Sequence, residues 1–221
     1  MTSRPVIYVL AGVNGAGKSS IGGQLLKRAR ATWFNPDAFA RELVRRGWPL
    51  SDANGAAWPE GLRRLDRAVS EARSFAFETT LGGTTLPSRL KDASASHDVE
   101  IWFCGLDSPE LHVERIRARV AAGGHDIPEQ KVRERYVSSI ANLIGLMPYL
   151  TRLRVHDNSV SVAAGRRLVM PVLVLEMASA KTILPVELED LRRTPSWAKP
   201  LVEAALRCGT ASPLSGSAQG S

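Results

Sequence analysis

The first hydrophobic stretch, Val6-Ile7-Tyr8-Val9-Leu10-Ala11, contains no charged position and is rich in β-branched residues. A short unbroken run of this kind predicts a strand covered on both faces. Glycines at 12, 15 and 17 close it, and Ile21, Leu25 and Leu26 then fall on one side of a helix predicted over residues 18–30. Thr32-Trp33-Phe34 reads as a second, short strand. Asn35-Pro36-Asp37 opens a helix that stops at Gly47, because asparagine is a favoured N-cap and proline fits the first turn. Leu62, Leu65, Val69 and Ala72 repeat at helical spacing ahead of a strand at 75–78. A helix over 86–93 leads to a strand at 99–104. Ser108 caps and Pro109 starts a helix that ends near Ala122. Gly123-Gly124-His125-Asp126-Ile127-Pro128 separates it from a long helix over 129–147, and 154–157 predicts one more short strand.

Strands alternating with helices predict a parallel sheet with helices on both faces. The pattern changes after Ser159: residues 168–177 read as a β-hairpin arm or an edge strand, and 195–207 as a closing helix. Residues 1–207 are expected to form a single domain, with 208–221 a disordered tail rich in Gly, Ser and Ala.

Composition narrows the class. The 221 residues are 44% hydrophobic and 23% charged, as in soluble globular chains, which excludes a disordered, collagen-like or coiled-coil protein. Apolar runs such as 168–175 fall far short of the roughly 20 residues of a membrane-crossing helix. The start of the chain runs directly into a strand, so no secretory leader is expected, and the expected compartment is the cytoplasm. Two cysteines, Cys104 and Cys208, make neither a disulfide framework nor a cysteine metal site. Lys and Arg total 29 against 22 Asp and Glu, a net charge of +7. The basic residues come as scattered pairs, Arg45-Arg46, Arg63-Arg64, Arg166-Arg167 and Arg192-Arg193, not as one block. That dispersal favours a solvated surface and small anionic ligands over a nucleic-acid groove.

The chemistry begins at Gly12-Val13-Asn14-Gly15-Ala16-Gly17-Lys18-Ser19, which satisfies G-x-x-x-x-G-K-[ST] between a predicted strand and a predicted helix. Successive backbone N–H groups of such a loop wrap a β-phosphate, and the helix N-terminus adds its positive dipole end. Gly12, Asn14, Gly15, Ala16, Gly17, Lys18, Ser19 and Ser20 are therefore the expected ATP-binding set. Lys18 is expected to bridge the β- and γ-phosphates and the Ser19 hydroxyl to ligate Mg²⁺. No N-K-x-D segment reads guanine, and Asp107 lies in loop sequence past the strand at 99–104. A GTPase and a motor-type ATPase are both disfavoured. The expected fold is α/β, of the P-loop NTPase/kinase type, with an arginine-bearing helical lid.

A small-molecule kinase adds an acceptor-activating carboxylate and cationic lid residues. Asp37 follows the second strand, at the edge where a parallel sheet presents its ligands, and a carboxylate there takes the proton of an attacking hydroxyl. The competing role is electrostatic support of the helix N-terminus. Arg115, Arg117 and Arg119 precede the glycine break, and Arg133 and Arg135 follow it. Arg115 and Arg119 share a face at i,i+4, whereas residues two apart diverge. Arginines flanking a glycine hinge suit a lid over about 108–147 that closes on ATP. The competing role is a surface hairpin paired with Glu114 and Glu134. Glu78, Thr79 and Thr80 end a buried strand as an acceptor-binding corner, with threonine capping of a helix as the alternative. His125 and His156 have no metal-ligand partners at useful spacing and read as turn and loop residues.

Taken together, these segments resemble the short bacterial branch of the zeta toxin family of P-loop kinases. The likeness is carried by residues 12–20, Asn35-Pro36-Asp37, 75–83, the arginine-flanked Gly-Gly-His-x-Ile-Pro break, Asp157-Asn158-Ser159 and Trp197-Ala198-Lys199-Pro200. The resemblance implies transfer of the ATP γ-phosphate to a hydroxyl of a UDP-activated amino sugar, UDP-N-acetylglucosamine, and a small antitoxin as protein partner. It implies Asp37 as catalytic base, Glu78 and Thr80 at the acceptor, and Arg119 with Arg133 or Arg135 as the ATP clamp. Arg63 and Arg64 are expected at the acceptor diphosphate, and Glu60 and Asp66 are the nearest candidates for a second acceptor-contacting acid. Two other readings stay open: a kinase of a nucleic-acid end or other small hydroxyl compound, and a nucleotide-gated interaction protein without turnover.

Overall fold

The computed structural model describes residues 4–23, 32–124, 126–160 and 170–210. Its strands are β1 (Val6–Ala11), β2 (Thr32–Phe34), β3 (Phe75–Thr79), β4 (Asp98–Gly105), β5 (Arg152–Asp157), β6 (Val172–Ala178) and β7 (Lys181–Leu184). They form one sheet in the order β2-β3-β1-β4-β5-β6-β7. The strands from β2 across to β5 run parallel, which puts β1 between β3 and β4. That position explains the unbroken apolar run. Ile7, Val9 and Ala11 join one buried cluster, while Tyr8 and Leu10 join another. Alternate residues of a strand reach opposite faces, so both faces of β1 are covered. Complete burial of Ile7 and Val9 contributes about 1.5–3 kcal/mol each.

The helices lie in the connections. A first helix, α1, opens after the glycine-rich turn and is described over residues 19–23. The others are α2 (Pro36–Arg45), α3 (Leu50–Ser70), α4 (Thr85–Ala93), α5 (Pro109–Ala121), α6 (Glu129–Leu146), α7 (Leu188–Arg193) and α8 (Lys199–Thr210). Both capping expectations hold. The Asn35 side chain accepts from Ala38 N at the head of α2, and Ser108 Oγ accepts from Leu111 N at the head of α5. Among the described residues no helix is long and apolar enough to cross a membrane.

Two features go beyond the alternation of strands and helices. First, the hairpin arm expected over residues 168–177 is seen in β6 and β7: β6 runs antiparallel to β5, and β7 antiparallel to β6. Arg154 stands directly opposite Glu176, whose carboxylate also accepts from Arg152, so charge complementarity secures this added ladder. Second, α3 begins at Leu50, well before the helical repeat at Leu62, and runs through Gly55, Pro59 and Gly61. Packing overrides these unfavourable residues, because Ala53 and Ala57 bury against Ala40 of α2 and Leu65 and Ala68 enter the main core. The expected helix beyond residue 23, the turn residue His125 and the tail beyond 210 lie outside the described residues.

Candidate functional site

The phosphate-loop sequence lies between β1 and α1 and is held from behind by side chains of three elements. Gly12 has φ +142°, and a Cβ there would sit 2.2 Å from the Cys104 carbonyl oxygen. Gly17 has φ +81°, and a Cβ there would sit 2.2 Å from Asn158 Nδ2. Only glycine meets both demands. Asn158 Nδ2 and Cys104 Sγ both donate to Ala16 O, at 2.8 and 3.1 Å. Burial pushes the Cys104 thiol up to about 12, so it serves as a packed donor and not as a nucleophile. Arg115 donates to Asn158 O at 2.7 Å, which places this arginine behind the loop.

Asn14 is gripped from both arms of the α5–α6 pair. His112 Nδ1 of α5 lies 2.8 Å from Asn14 O, and since a carbonyl only accepts, Nδ1 carries the proton. Arg135 of α6 donates to Asn14 Oδ1 at 2.9 Å. Val13, Val113, Ile116 and Val132 form a small apolar cluster that joins the loop to the same two helices.

Burial holds His112 down to about 4, with Lys18 and Arg115 acting in the same direction and the Asn14 carbonyl opposing them. Burial also holds His156 down to about 4, helped by Arg154. In the unfolded chain each takes its proton near pH 6.5. The unfolded state therefore binds more protons between those values, and stability is lost as pH falls from about 6.5 towards 4. Thermal unfolding followed by circular dichroism should show Tm declining across that window. A His156→Phe variant, which keeps a ring against Trp102, should show a shallower decline.

Lys18 is 9% exposed. Its Nζ donates to Gly12 O at 2.9 Å and lies 3.5 Å from Glu78 Oε1 at the end of β3. Glu78 Oε2 accepts from Asn35 Nδ2 at 2.7 Å, and Asn35 caps α2, which carries Asp37 in its first turn. A chain of polar contacts thus runs from the phosphate-loop amine to the helix that presents Asp37. Asn14, Lys18, Asp37, Glu78, Thr80 and Arg135 all line one cleft of about 160 Å³. A wider cavity of about 420 Å³ continues from it, sharing Thr79, Thr80 and Arg135. Ser19 and Ser20 are exposed on the first turn of α1.

Other predicted residues do not reach the cleft. Arg133 pairs with Glu110, because it points away from Arg135 two positions on. Arg119 is exposed at the C-terminal end of α5, where its carbonyl accepts from Gly124 N at 2.9 Å. Arg64 pairs with Glu60 and packs its guanidinium over the Phe34 and Phe39 rings, at 4.8 and 5.6 Å. Arg63 also pairs with Glu60, and the Arg63 and Arg64 guanidinium groups hold the Glu60 carboxyl down to about 2. Spacings of three and four on one helix let both arginines share the Glu60 carboxylate, and Arg63 and Arg64 line a separate groove with Arg67 and Arg73. Asp66 pairs with Arg89 at 3.4 Å. Neither candidate second acid lines the cleft that holds Asp37.

Sequence reasoning assigned no role to Trp58 or His112 and saw Asn35 only as a cap. Trp58 lines both cavities. Its only signal was a large aromatic residue ahead of Pro59, outside the recognised helical repeat.

No family model matches the chain. An uncharacterized protein of Haemophilus influenzae is 29% identical over 137 residues, which span 62% of this chain and 94% of that protein. A chain of the PezAT chromosomal toxin–antitoxin system of Streptococcus pneumoniae is similar in structure, with a TM-score of 0.55 at 15% identity, covering 71% of this chain and 69% of its own. A chain of the AvrRxo1-ORF1:AvrRxo1-ORF2 complex gives a TM-score of 0.60 at 15% identity, covering 88% of this chain and 64% of its own. At such identities the likeness bears on fold. With the glycine loop set between β1 and α1 in a sheet flanked by helices, the chain has the P-loop kinase fold, and its similarity to PezAT agrees with the resemblance to zeta toxins carried by its motifs.

Proposed function

We propose that this chain is an ATP-dependent kinase that phosphorylates a hydroxyl of a UDP-activated amino sugar, UDP-N-acetylglucosamine. The observation that carries the reading is the shared cleft, lined by both the phosphate-loop Lys18 and the exposed carboxylate of Asp37, with Glu78 and Asn35 joining Lys18 to the helix that carries Asp37. ATP places its phosphates on the backbone N–H groups of residues 12–19, and Lys18 turns from Glu78 to the β- and γ-phosphates. The acceptor hydroxyl hydrogen-bonds Asp37 and attacks the γ-phosphorus as the bond to the β,γ-bridging oxygen breaks. Asp37 takes the proton, and ADP leaves. Glu78 and Thr80, which line the same cleft, hydrogen-bond the remaining sugar hydroxyls, which rejects acceptors that leave those groups unpaired.

Arg135 supplies positive charge at the transferring phosphoryl group, and Arg115 acts through Asn158 on the shape of the loop. The α5–α6 pair is the lid that closes over the nucleotide. Ser19 would hold Mg²⁺, which neutralises phosphate charge when bound. Mg²⁺ keeps several waters and takes further oxygens from phosphate, so a single exposed hydroxyl suits it, and among the described residues no cluster of three His, Cys, Asp or Glu competes. Two of the similar structures come from two-protein systems, which supports a small antitoxin-like protein as partner.

The test is direct. Purified protein with ATP, Mg²⁺ and UDP-N-acetylglucosamine is expected to give, by mass spectrometry, a sugar nucleotide heavier by one phosphate. Absence of that product, together with phosphorylation of an oligonucleotide end, would assign the cleft to a nucleic-acid kinase instead.

A further inference from the structure

We propose that Trp58 is the specificity-determining residue of the acceptor site, a stacking platform for a planar ring in an acceptor of the nucleoside-diphosphate class. The proposal rests on the kinase reading of the cleft and specifies what its outer half recognises.

Trp58 is 37% exposed, although α3 has a buried face built from Ala53, Ala57, Leu65 and Ala68. The indole therefore contributes little to the core and lies instead along both cavities. Its position is held firmly. A Cβ on Gly61, three residues on, would sit 2.9 Å from Phe34 Cε1, so α3 is pressed against the end of β2 beside the cleft. The cleft that holds Asp37 is open and meets the wider cavity at Trp58, Thr79, Thr80 and Arg135, which line both. An acceptor whose hydroxyl meets Asp37 and that is longer than one sugar extends past Trp58 into the wider cavity. There Lys131, paired with exposed Glu134 at 3.1 Å, and Arg135 leave a net positive charge, and Thr80 and Ser138 supply hydroxyls. An indole beside that charge suits a planar ring carried on an anionic linkage: the ring gains stacking area at low conformational cost, and Lys131 turns from Glu134 to the acceptor phosphates while Arg135 stays at the transferring group.

The experiment uses the full chain with its phosphate loop saturated by Mg²⁺ and AMP-PNP, so that added ligands report on the acceptor site alone. Calorimetric titration with UDP-N-acetylglucosamine is compared with N-acetylglucosamine 1-phosphate, which lacks the ring. Trp58→Ala is expected to weaken the UDP-sugar by about 10- to 100-fold, the value of one base–aromatic stack. It should leave the ring-less ligand within about twofold, and Trp58→Phe should restore most of the loss. AMP-PNP affinity and Tm should be unchanged in both variants. In turnover the loss should fall on KM for the acceptor and not on kcat. Equal losses for the two ligands, or no loss for either, would overturn the platform. So would failure of UDP, ADP and GDP alike to bind beside AMP-PNP. Ring-dependent binding without phosphotransfer would instead leave the platform standing and reject the kinase reading.

Discussion

Lys18→Ala is expected to remove measurable phosphotransfer and to weaken Mg²⁺·ATP binding by about 10- to 100-fold, the worth of one charge-assisted contact to phosphate. The size of the effect has two sources. One is loss of the ammonium that meets the phosphates. The other is the partner left behind: Glu78, 3.5 Å from Lys18 Nζ, would face the γ-phosphate without the ammonium that balances its charge. A carboxylate next to a phosphate repels it, and the site is poorly screened. Adding Glu78→Gln to Lys18→Ala should therefore recover part of the ATP affinity without recovering turnover. Calorimetry and transfer of labelled γ-phosphate read the two quantities separately. Unchanged turnover in Lys18→Ala would reject the phosphate-loop assignment.

Asp37→Asn is expected to lower kcat by roughly 10²- to 10⁴-fold while ATP affinity stays within about twofold. The substituted amide keeps the size and polarity of the side chain but takes no proton. Geometry separates this role from a structural one. The cap of α2 is Asn35, whose side chain already accepts from Ala38 N, so Asp37 contributes to the helix only as first-turn negative charge. Such a charge is worth about 0.3–1 kcal/mol, a Tm change of about 4 °C at most in a chain of this size. Single-turnover kinetics and thermal unfolding on the same preparation decide the matter. A large fall in Tm with the rate retained would make Asp37 a helix-stabilising residue.

The lid arginines depend on partners that lie far away along the chain. Sequence spacing established that Arg133 and Arg135 cannot serve one ligand, but not which of them turns inward. The answer depends on what lies across from each: Asn14 faces Arg135, and Glu110 captures Arg133. The same applies to Arg63 and Arg64, whose charge suggested a diphosphate. Their true partner is Glu60 on their own helix, which lies ahead of the apolar repeat that begins at Leu62.

The local signals determined β1, the glycine loop, both N-caps and the strand-end position of Glu78, because each depends on residues within a few positions of one another. An unbroken apolar run, a glycine that must adopt positive φ and a capping side chain state their requirements in consecutive sequence. The tertiary structure alone decided the continuation of α3 through Pro59, the hold of His112 and Arg135 on Asn14, and the sharing of one cleft by Trp58 and Asp37. These features join residues as far as 121 positions apart. Contacts at that range are selected by the burial and charge balance of the whole fold, to which no single stretch of the chain has access.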